Sequence, residues 1–170
     1  MDLPIPRGCA RISPWPDPLV DERGHDPRSA YVERYWLGVI GPTATLVMRR
    51  FADEFDQRPD GFVVDLGHIA ATMGLSFSKG EHSPFGRALH RCVMFGLARR
   101  TPDGFGVRRM FPNVAQRHLD RLPVEVREAH LDWARRTIKL DRRELEQRLV
   151  AWGVGLRAAA RASEAAALAS

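Results

Sequence analysis

A chain of 170 residues with 44% hydrophobic content can bury one core and a small appendage without disulfides or metal to hold it. No apolar run approaches the roughly 18 residues of a membrane span, and no charged-then-apolar leader pattern opens the chain. The two cysteines, Cys9 and Cys92, belong to no CxxC or secreted-framework spacing, so with a net charge of +5 a soluble cytoplasmic protein is expected.

Residues 1–29 hold six of the twelve prolines and no sustained periodicity, which predicts an extended or disordered tail. Trp15, between Pro14 and Pro16, reads best as a packed residue of that tail. From Tyr31 the run YVERYWLGVI is helix-compatible until Gly41-Pro42 interrupts it, and Pro42 suits the first turn of a second helix. Ala44, Val47, Met48, Phe51 and Phe55 then recur at spacings of three and four, one buried face ending near Gln57. Arg58-Pro59 and Asp60-Gly61 mark a turn, and FVV is long enough for a brief strand. Asp65 is placed as an N-cap, Leu66, Ile69, Ala70 and Met73 share a face, and Gly74 sits where a helix terminates.

After the polar stretch LSFSKGEH, Ser83-Pro84 is a strong helix start. In the helix from Pro84 to about Gly96, Phe85, Ala88, Leu89, Cys92 and Val93 fall on one side, and Arg87, His90, Arg91 and Met94 on the other. Cys92 thus reads as a small buried hydrophobe. The segment 97–109, LARRTPDGFGVRR, has shorter periodicity around turn chemistry at Pro102 and Asp103-Gly104, a hairpin with a loop of about four residues. A short helical segment follows near residues 113–122. Pro123 then opens a helix in which Val126, His130, Trp133 and Ile138 share a stripe. Leu145, Leu149, Trp152 and Leu156 make a two-heptad seam, and an Ala-rich end, 159–170, is expected to fray.

The order helix, short strand, helix, helix, hairpin, carried by DLGHIAATMG, SPFGRALHRCVMFG and LARRTPDGFGVRR, resembles a winged helix-turn-helix DNA-binding domain of bacterial regulators. The resemblance covers about half the chain and implies a mainly α fold with a small β-hairpin wing over 30–112, followed by a helical extension over 113–158. It departs from the usual pattern in one place: Leu75–His82 separate the two motif helices, where three or four residues are common. That loop either touches a phosphate backbone or accommodates packing.

Charge is segregated in the same region. Residues 84–121 carry eight arginines against two acids, more net positive charge than the whole chain. Only Lys79 and Lys139 among the 26 basic residues are lysines, a bias expected of a G·C-rich genome, so arginine abundance alone marks nothing more than a solvated surface. Joined to the fold order, it predicts double-stranded DNA as partner. Arg87 and Arg91, one turn apart with His90 and Met94, would face the major groove, where guanine offers O6 and N7 to an arginine fork. Arg99, Arg100, Arg108 and Arg109 of the hairpin, with Lys79, would contact phosphates or the minor groove.

No P-loop, GxGxxG, GxSxG or HExxH is present, and His68, His82, His90, His118 and His130 lie at no metal-ligand spacing. The expectation is a non-enzymatic transcriptional regulator without cofactor or metal, dimeric through Leu145, Leu149, Trp152 and Leu156. The rival from another class is a protein-interaction module on the same scaffold.

Overall fold

A computed structural model describes residues 5, 6, 8–151 and 155–168, in two compact units that meet between Arg121 and Leu122. The protein is mainly helical with a small mixed sheet. No helix among the described residues is long and apolar enough to cross a membrane.

The first unit opens with a strand, β1 (Cys9–Pro14), within the segment expected to be an extended or disordered tail; it is extended there, and paired into the sheet. The short alternation Cys9, Ala10, Arg11, Ile12 explains it: Ala10 and Ile12 are buried while Cys9 and Arg11 are exposed. The Pro-rich segment that follows β1 is tied down as well. A short helix, α1 (Pro18–Arg23), is N-capped by Asp17, whose carboxylate accepts from the Val20 amide. His25 forms a bridge with Phe111 and stacks on Tyr31 with ring centroids 3.6 Å apart. Arg28 pairs with Asp26, Asp53 and Asp56.

A π-turn over Val32–Trp36 runs into α2 (Leu37–Ile40), and α3 (Pro42–Gln57) starts after Gly41 with proline in its first turn, as the sequence predicts. Ala44, Val47, Met48, Phe51 and Phe55 are all buried. Next come β2 (Phe62–Asp65) and α4 (Leu66–Thr72), the latter capped by Asp65 through the His68 amide at 2.7 Å. The long connection to α5 (Pro84–Met94) is a packing device: Phe77 is buried edge-on against Phe85, and Gly80–His82 form a tight 3-10 turn. Ser83 donates to the Gly80 carbonyl and accepts from the Gly86 amide, fixing that turn to the start of α5.

Strands β3 (Ala98–Thr101) and β4 (Gly104–Val107) form the hairpin, joined by two residues instead of about four. The hairpin is not free-standing. The sheet order is β2-β1-β4-β3, with β1 antiparallel to β2 and parallel to β4, and the Arg11 amide donates to the Asp103 carbonyl at the turn. The register places Phe62, Ile12 and Phe105 in one buried row beneath Phe51 and Phe55. Gly104 is required where it stands, because a Cβ there would collide with the Arg11 carbonyl oxygen.

The first unit closes beyond the expected end at residue 112. The Trp36 indole donates to the Pro112 carbonyl, the Val114 amide donates to the Tyr31 hydroxyl, and α6 (Gln116–Leu119) contributes the buried Leu119. The second unit consists of α7 (Val124–Ala151) and α8 (Leu156–Leu168) packed on one another. The expected seam therefore does not lie on one helix. Leu145 and Leu149 are half-buried on α7, Leu156 is exposed on α8, and Trp152 falls outside the described residues. On the other stripe, Ile138 is exposed while His130 is buried.

Burial lowers the pKa of His25 below the usual imidazole value, against the opposing hydrogen bond with Asn113, and that of His118 moves the same way. The unfolded chain then binds the proton first, so stability is complete above about pH 6.5 and falls as pH drops through that value. Melting temperature measured from pH 8 down to pH 5 should decline on the acid side, and His25→Gln should flatten that decline. An unchanged profile in the variant would remove His25 as its source.

Candidate nucleic-acid interface

The site is built on α5. Ser83 and Pro84 fix its start, and Phe85, Ala88, Leu89 and Cys92 pack inward. Burial pushes the Cys92 thiol up to about 12, so it is an inert part of the core. By the 3.6-residue period the opposite side carries Arg87, His90 and Arg91, all exposed, and Met94, which is 68% exposed. Sequence and structure agree on this face.

In front of it lies an open groove of about 410 Å³, whose other wall is the junction of α2 and α3 at Gly41, Pro42 and Thr43. None of its lining residues is acidic. Its cations are also ordered. Arg87 Nη1 donates to the His82 carbonyl at 2.9 Å, and Arg91 Nη1 reaches the Ile40 carbonyl at 3.3 Å. Each guanidinium is steered by one donor and keeps others for a ligand. His90 Nδ1 lies 3.2 Å from Arg100 Nη2, which joins the helix face to the sheet.

The remaining expected residues are not gathered there. Arg100 has a side chain only 9% exposed and pairs with Glu81 at 2.9 Å; the Glu81 carboxylate also accepts from the Ile5 amide at 2.7 Å. These bonds, that from Ile5 foremost, hold the Glu81 carboxyl below its usual range. Arg108 pairs with Asp17 at 2.6 Å, donates to the Gly96 carbonyl, and lies 4.2 Å from the Trp15 ring centroid. The Arg108 guanidinium holds the Asp17 carboxyl below its usual range. These two arginines fasten the N-terminal segment to the sheet and are not free for phosphates. Sequence reading missed this because the acids that take them, Asp17 and Glu81, lie outside the hairpin.

Arg99 is exposed and rests 5.2 Å from the same Trp15 ring, on the sheet face opposite Arg100. Arg109 is exposed too, but its guanidinium stands over Phe55 near the far end of α3. At 1.5 Å per residue that is about 20 Å along α3 from the groove at Pro42. Lys79 is exposed on the loop before α5. The groove wall at Gly41 to Thr43 was not read as part of the site, although the Gly-Pro break that builds it is visible in the sequence.

A second, smaller hollow of about 260 Å³ is lined by Arg50, Arg58 and His68 but also by Glu54 and Asp65, and Arg58 is paired to Glu54. Its mixed charge favours no single ligand. No protein-family model, curated protein or solved structure matches this chain.

Proposed function

We propose that the unit ending at Arg121 is a winged-helix module that binds double-stranded DNA in transcriptional regulation, with α5 in the major groove. The observation that carries the reading is the exposed row Arg87, His90, Arg91 and Met94 facing a groove with no acid in its lining. The order α3, β2, α4, α5, β3, β4 supports it, since it is the helix and strand order of a winged helix. In this reading β1 is an added strand that braces the wing, and Arg99 and Lys79 are the flanking cations for phosphates. Two copies would double the reading surface. Val124, Leu131 and Ile138, exposed and seven apart on α7, are available for such pairing.

The test is anisotropy of a labelled mixed-sequence duplex titrated at roughly 50 and 200 mM salt, the range over which several phosphate contacts cost orders of magnitude in affinity. Wild type should bind with steep salt dependence, and Arg87→Ala/Arg91→Ala should weaken binding by about tenfold or more. Arg109→Ala should change little. Absence of binding at the lower salt would overturn the DNA reading and turn attention to a protein partner.

A further inference from the structure

Arginine carries five N–H donors and no acceptor, and it stays protonated at any working pH. In the contact between Arg100 Nη2 and His90 Nδ1, 3.2 Å apart, the ring nitrogen must therefore accept. A neutral imidazole that accepts at Nδ1 bears its proton at Nε2, across the ring. Arg100 is in turn oriented by Glu81 at 2.9 Å, and Glu81 is anchored by the Ile5 amide. The Arg100 side chain is 9% exposed and that of Glu81 39% exposed, while His90 itself is exposed and lines the groove. The other charged groups beside it, Arg87 and Arg91, are donors as well. The groove thus presents donors from all three of these side chains.

We propose that Glu81 and Arg100 are positioning residues which hold His90 as the Nε2–H tautomer, and that the groove so formed takes the major-groove edge of guanine. The inference rests on the DNA-binding reading above and goes further, by assigning the base. Guanine shows two acceptors there, N7 and O6, whereas adenine sets an amino donor beside its N7 and cytosine offers an amino donor. The donors of Arg87, His90 and Arg91 match the first, whereas adenine and cytosine each set a donor against them. A backbone phosphate is also rich in acceptors, so the experiment separates base edge from backbone.

The tautomer is read directly from long-range proton–nitrogen correlation of the imidazole rings in the free protein, above the usual imidazole titration range. Wild type should show His90 protonated at Nε2, and Arg100→Met, which removes the donor with its charge, should relax it to a mixture. Protonation at Nδ1 in wild type, which needs no variant to observe, would overturn the positioning role; so would an unchanged tautomer in a folded Arg100→Met protein. Binding is then compared on a G·C-rich duplex, on the same duplex with 7-deazaguanine, which lacks the N7 acceptor, and on one with methylphosphonate linkages. Wild type should lose about tenfold or more on the 7-deazaguanine duplex. Loss on methylphosphonate alone, with 7-deazaguanine bound as tightly as guanine, would give the groove to phosphate and overturn the base assignment while leaving DNA binding intact. Failure to bind any of the three would instead overturn the DNA-binding reading itself.

Discussion

Deleting residues 1–14 should abolish the cooperative unfolding transition of the first unit, where deletion of a loose tail would leave it unchanged. The strand β1 is internal to the sheet and hydrogen-bonds to β2 on one side and β4 on the other. Its loss leaves two rows of backbone donors and acceptors unpaired, each pair worth about 1 kcal/mol net. It also removes Ile12, fully buried between Phe62 and Phe105, whose burial contributes about 2 kcal/mol. Against a typical total stability of about 5–15 kcal/mol, losses of this kind on both sides of a four-stranded sheet are decisive. Urea unfolding followed by circular dichroism provides the check. A truncated protein that melts like wild type would show that the strand is dispensable.

Gly104→Ala should cost about 3 kcal/mol, the upper end for forcing extra atoms into a packed site. The added methyl group would meet the Arg11 carbonyl oxygen and its neighbouring backbone atoms, none of which can turn aside as a flexible side chain would. Relief requires parting β4 from β1, and that separation also loosens Phe105 beside Ile12. Gly8→Ala is the matched control, because nothing lies within 4 Å of a Cβ there, and it should be close to neutral. Equal stabilities for the two variants, compared by denaturant midpoint, would contradict the close approach of β1 and β4.

The contrast between what the sequence made legible and what it hid follows from the range of the interactions involved. Helices α3 and α5 could be read because Pro42, Ser83-Pro84 and the three-and-four spacing of their apolar residues are local signals. The exposed face of α5 was legible for the same reason. The strand β1 was not, since its alternation spans a few residues among prolines and its partners lie about 50 and 90 positions away. Nor could spacing show that Arg100 and Arg108 are taken by Glu81 and Asp17, which join them only in three dimensions. Exposed and ion-paired arginines look alike in a sequence; burial distinguishes Arg87 from Arg100.

The parallel pairing of β1 with β4 also sets a schedule for the growing chain. Ile12 is made about 90 residues before its neighbour Phe105, so β1 must wait, unpaired and partly apolar, until β4 is synthesised. Contacts so distant along the chain slow folding, because the loop must close before the strand gains anything from pairing. Until then β1 is an unpaired strand with apolar residues, and the prolines around it, Pro4, Pro6, Pro16 and Pro18, with Pro14 at its end, disfavour premature pairing with another strand.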